Sequence, residues 1–151
     1  MVRGICAALL AAAVLVSFAG RVNAARAPEV HEYALPTAAA GPDGIAVGPD
    51  GALWFTEYQA DKIGRMTTGG VVSEYAVPTA GAGPGGIALG PDGALWFTEG
   101  TGNKIGRITA GGEVREYALP TSGAHPLGIA LGPDGALWFT EYDGNKIGRI
   151  K

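Results

Sequence analysis

The chain has 151 residues, a formal net charge of −3, and 26 Gly with 10 Pro. Its 47% apolar and 17% charged residues exclude a charge-solvated disordered chain. Glycines without a three-residue period exclude a collagen, and a mildly acidic balance with no basic run argues against nucleic acid as the main partner.

Arg3, the apolar run Ile5 to Ala19 and the small-residue pattern Val22-Asn23-Ala24 read as a secretory signal peptide over residues 1–24. The run is short for a membrane span, which needs roughly 20 residues. The mature domain is then 25–151, secreted or periplasmic, with no membrane association after cleavage. The single cysteine, Cys6, falls inside the leader, so the mature chain has no disulfide and packing must supply its stability.

From there the chain repeats itself. Trp54, Trp96 and Trp138 are 42 residues apart, as are Tyr33, Tyr75 and Tyr117. Across Gly44 to Glu57 and its two copies only Val47, Leu89 and Leu131 break the identity. A period near 40 with several short strands per unit is a β-propeller spacing, and the Pro-Asp-Gly punctuation would break helical repeats of similar length. The fold class is therefore all-β, with four-stranded blades.

In chain order, the first unit predicts strands at Gly44 to Val47 and Ala52 to Thr56, joined by the turn Pro49-Asp50-Gly51. A polar loop leads to a third strand, Lys62 to Met66, and Gly69-Gly70 turns the chain into a fourth, Val71 to Ala76. Apolar side chains on both faces of Leu53 to Phe55 suit a blade sandwiched between two others. Gly64, Gly106 and Gly148 are expected to admit a bulky ring from a neighbour, the tryptophan being the first choice, and the tryptophans are expected at blade interfaces.

The phase of the units adds an expectation. His31 to Pro36 copies the fourth strand and Lys146 to Lys151 copies the third, so a spare outer strand and an unfilled position match. Three blades fall below the usual 4 to 8 of a closed ring. Either chains associate, as a homo-oligomer whose simplest form is a six-blade dimer, or the chain is a fragment of a longer protein. A lone arc would expose apolar faces around Trp54 and Trp138.

The motif G-P-D-G-A-L-W-F-T-E followed by N-K-I-G-R-I, at Gly90 to Glu99 with Asn103 to Ile108 and at Gly132 to Glu141 with Asn145 to Ile150, resembles the streptogramin B lyase family. The resemblance covers essentially all of the chain after the leader. It implies a β-propeller, normally of seven blades. In active members it also implies a magnesium-dependent carbon-oxygen lyase that inactivates a small cyclic depsipeptide antibiotic by elimination at its ester bond. Such chemistry needs a base for the proton alpha to a carbonyl and a cation for the developing enolate charge.

The family's Glu-Pro-His-Gly-Ile segment falls on Gly41 to Ile45, Gly83 to Ile87 and His125 to Ile129. The base position holds Asp43, Gly85 or Leu127, and His125 replaces the leading glutamate of the third copy. The resemblance thus nominates Asp43 and His125 as catalytic groups, the latter displaced by two residues. It nominates the strand-end acids Glu57, Glu99 and Glu141 as holders of Mg2+, an oxygen-loving ion. The competing expectation pairs these acids with Lys62, Lys104 and Lys146, leaves His125 solvated, and puts His31 on an outer strand. With no histidine in the base position, streptogramin linearisation is expected to be weak or absent, the alternative being a non-catalytic binding or structural propeller. Pro-Asp-Gly turns also occur in lactonase-like propellers, a third possibility.

Overall fold

The computed structural model describes residues 27–151. The expected leader, residues 1–24, and with it Cys6, lies outside the described residues. Contacts divide the chain into 1–32 and 33–151, and every described strand belongs to the second unit.

Three antiparallel meanders follow one another. The first runs β1 (Pro42–Val47), β2 (Leu53–Glu57), β3 (Lys62–Met66) and β4 (Val72–Ala76), hydrogen-bonded in chain order. The second repeats it as β5 (Pro84–Leu89), β6 (Leu95–Glu99), β7 (Lys104–Ile108) and β8 (Val114–Ala118). The third is β9 (Pro126–Leu131), β10 (Leu137–Glu141) and β11 (Lys146–Ile150), with no outer strand on β11 among the described residues. The first strand of each unit starts two residues earlier than the sequence suggests, since a bulge between Pro42 and Ile45 lets Pro42 pair with Glu57.

The Pro-Asp-Gly turn does more than reverse the chain. Gly51 takes φ +73°, and its N–H donates to the Gly48 carbonyl at 3.1 Å. Asp50 then accepts from the Trp54 indole at 3.1 Å and the Arg65 guanidinium at 2.6 Å, tying the turn to the second and third strands. Arg65 lies over the Trp54 ring at 6.0 Å. Asp92 and Asp134 repeat the arrangement with Trp96–Arg107 and Trp138–Arg149. Hydrogen bonds from Trp138 and Arg149 hold the Asp134 carboxyl down at about 2.

Blades join face to face. Trp54 stacks on Tyr75 of its own blade at 5.6 Å and packs against Ile87, Phe97 and Ile108 of the next. Trp96, Leu137 and Phe139 repeat this between the second and third blades. Near the inner strands, Thr56 Oγ1 accepts from Gly44 N at 2.8 Å and donates to Gly85 O at 2.7 Å, and Thr98 donates to Leu127 O at 2.7 Å. The carbonyl of Gly85 would lie only 2.5 Å from a Cβ at Gly44, so the neighbouring backbone occupies the space a side chain would take. At the outer strands, Lys62 donates to both Thr37 and Glu74 at 2.7 Å, and Lys104 does the same with Thr79 and Glu116.

Several expectations are corrected. Gly64, Gly106 and Gly148 admit a ring, but it is Phe55, Phe97 or Phe139 from the paired strand of the same blade. The tryptophans lie instead over Gly48, Gly90 and Gly132. Trp54 is fully buried because the second blade covers it, whereas Trp138 is 39% exposed. The open face at the other end carries Ile45 and Val47, both more than half exposed. His31 to Pro36 forms no strand, yet Tyr33 rests on Gly70 as Tyr75 rests on Gly112, in the place a preceding blade's outer strand would hold.

Candidate functional site

The inner strands β1, β5 and β9 lie side by side, which brings the three equivalents of the family's base position into a row. Gly85 is central: a Cβ there would lie 3.5 Å from Asp43 Oδ2 and 4.0 Å from the Leu127 carbonyl. Asp43 and Leu127 are exposed and Gly85 is buried between them. One carboxylate, one bare backbone position and one aliphatic side chain thus meet at this face, with no imidazole in the row.

His125 stands just before β9, at a position where the other units have glycine. Its φ of +49° matches the left-handed conformation of Gly41 and Gly83. The ring Nδ1 lies 3.1 Å from Asp143 Oδ2, and the Tyr142 ring meets it edge-on at 6.1 Å. The imidazole edge with Cδ2 and Nε2 faces Gly100 of the second blade. His125 is partnered by Asp143 rather than Asp43, so the two nominated catalytic groups do not form a pair. Asp143 and Tyr142, which set the ring's orientation, went unnoticed in the sequence because the first two units have Gln59 and Tyr58, and Thr101 and Gly100, in their places.

The strand-end acids behave alike. Glu57 and Glu99 are fully buried and Glu141 nearly so. Both carboxylate oxygens of Glu57 and Glu99, and Oε2 of Glu141, have no hydrogen-bond partner. Each is roofed by its own blade, as Gly102 over Glu99 and Gly144 over Glu141 show. The expected lysine partners are engaged elsewhere, Lys62 with Glu74 and Lys104 with Glu116. Burial, with Glu116 and Asp61 adding to it against Lys104, pushes Glu99 up to about 7, and burial likewise raises Glu57. Among the described residues no three His, Cys, Asp or Glu side chains gather around one point.

Fold and inner-strand geometry define an open arc of β-propeller blades, with Asp43, Gly85 and Leu127 in a row on the inner strands. The Virginiamycin B lyase family profile matches residues 13–151, and the chain belongs to that family. It is 54% identical over 45 residues to virginiamycin B lyase of Saccharopolyspora erythraea, covering 30% of this chain and 15% of that one. A catalytically inactive virginiamycin B lyase from Staphylococcus aureus with quinupristin is 50% identical, with a TM-score of 0.80 over 82% of this chain and 42% of that one. A streptogramin B lyase structure is 53% identical, with a TM-score of 0.78 over 80% of this chain and 41% of that one. The chain thus spans about two fifths of the length of these solved relatives.

Proposed function

We propose that this protein is exported and binds cyclic depsipeptides of the streptogramin B type at its inner face, with weak or no linearisation of them. The observation that carries this reading is the row Asp43, Gly85, Leu127, where the family segment calls for an imidazole base and none stands. The family assignment and the relative with quinupristin support the ligand class. A second reading rests on the His125–Asp143 pair: a carboxylate-oriented imidazole at this face is the arrangement a general base requires, and His125 would take the proton alpha to the ester carbonyl.

The test incubates the full chain with quinupristin and Mg2+, follows linear product by mass spectrometry and measures binding by calorimetry. Binding heat without product supports the first reading. Product that disappears in His125→Ala supports the second. Robust product surviving replacement of both Asp43 and His125 refutes both.

A further inference from the structure

Five aspartates are followed directly by glycine: Asp43, Asp50, Asp92, Asp134 and Asp143. In such a pair the glycine's backbone nitrogen can attack the aspartyl carboxyl, because no side chain blocks the approach. A bond forms between that nitrogen and Cγ, a C–O bond breaks, and water leaves with the amide proton, giving a succinimide ring. Water then reopens the ring at either carbonyl, returning aspartate or producing isoaspartate, whose main chain is one methylene longer. No oxidant, reductant or cofactor enters. The reaction needs a carboxyl free to swing over the next nitrogen, and an N–H that is weakly held. The fold grants these conditions very unequally.

Asp50, Asp92 and Asp134 lack the free carboxyl. Each accepts from the tryptophan four residues on and from an arginine of the third strand. Each also accepts from the backbone N–H two residues on, as in an Asx turn. Their glycine N–H groups are bonded as well, at 3.1–3.2 Å to the carbonyls of Gly48, Gly90 and Gly132. Asp43 lacks the free nitrogen. Gly44 N donates to Thr56 Oγ1 at 2.8 Å, and that hydroxyl donates on to Gly85 O at 2.7 Å, so the nitrogen ends a hydrogen-bonded relay across the blade interface.

Asp143 differs on both counts. It stands in the loop between β10 and β11 with its side chain 56% exposed, and its one side-chain partner among the described residues is His125 Nδ1 at 3.1 Å. Gly144 N reaches Ala124 O at 3.3 Å, the longest such bond of the five glycines, and shares that oxygen with Asp143 N at 3.1 Å. The exposure belongs to the loop position. Its equivalents Gln59 and Thr101 are exposed too, although a further blade follows each of them.

We propose that Asp143-Gly144 is the site of spontaneous succinimide and isoaspartate formation in the folded protein, the other four Asp-Gly pairs being protected by their hydrogen bonds. Conversion inserts a methylene into the main chain at the carboxylate that orients His125, and so breaks that pair. Loss of catalysis follows from this only on the second reading above, whereas the modification itself involves no substrate.

The test incubates the full chain in heavy-oxygen water near neutral pH, folded and, in parallel, unfolded in concentrated urea. Each passage through the imide installs one heavy oxygen in the aspartate concerned. Digestion in ordinary water and fragmentation mass spectrometry then locate the label, and chromatography separates the isoaspartyl peptide of the same mass. In the folded chain Asp143 should acquire label roughly tenfold or more faster than any of the other four, since each of those must first break a stronger hydrogen bond. In urea the five rates should converge to within a few-fold. Label entering Asp43, Asp50, Asp92 or Asp134 of the folded chain as fast as Asp143 would overturn the proposal. So would an undiminished preference for Asp143 in urea, which would assign the selectivity to local sequence. Neither outcome depends on whether quinupristin binds or reacts.

Discussion

The buried carboxyl of Glu99 makes the stability of this protein fall as pH rises, and Glu99→Gln should abolish most of that loss. Glu99 is fully buried, neither oxygen has a partner, and its carboxyl titrates near 7 against 4.5 in the unfolded chain. A raised folded-state value means that below pH 4.5 both states hold the proton and the group contributes nothing. Between 4.5 and 7 the unfolded chain releases a proton that the folded one keeps, so stability declines by about 1.4 kcal/mol per pH unit. Above 7 both states are ionised and the decline levels off, with a total cost of about 3 kcal/mol. Glutamine has the same shape and cannot ionise. The variant should match the wild type within about 1 kcal/mol at pH 5 and exceed it by about 2–3 kcal/mol at pH 8.5. Urea denaturation at fixed protein concentration, followed by fluorescence of the buried Trp54 and Trp96, measures both curves. Parallel curves for wild type and variant across pH 5 to 8.5 would refute the argument, since they would mean that water or a neighbouring cation neutralises the carboxylate in the fold.

Gly106→Ala places a methyl inside the Phe97 ring on the paired strand, in the middle of the central blade, and should destabilise by about 1–3 kcal/mol or more in the same titration. Trp54→Ala empties a fully buried interface and should cost about 3–5 kcal/mol, well above the effect of Trp138→Ala on the folding of one chain. Thr98→Val removes a buried hydroxyl that donates to Leu127 O at 2.7 Å and should cost about 1–2 kcal/mol, read as a lower urea midpoint. Mass spectrometry of the protein recovered outside the cell should show a chain beginning near Ala25; an intact Met1 in the soluble extracellular fraction would contradict export with cleavage.

What the sequence determined by itself is the repeat and everything local to it. The 42-residue period, the Pro-Asp-Gly turns and the strands that flank them follow from short-range rules, because a turn residue and a run of β-branched or aromatic residues constrain only their own few neighbours. The family assignment was legible for the same reason, its motifs lying within single hairpins. Partners across space were not. That a ring lies over Gly64 follows from a missing side chain, but which ring depends on strand register, and pairing Phe55 opposite Gly64 excludes the tryptophan one residue away, which points to the other face. Trp54 and Trp138 occupy the same place in identical motifs, yet one is buried and the other exposed, because burial is set by whether a following blade is present to cover it. The glutamates show the same limit. Alternation fixed their positions at the strand ends, but only the tertiary structure decided that their carboxyls would be buried, Glu99 under Gly102 and Glu141 under Gly144 of their own blades.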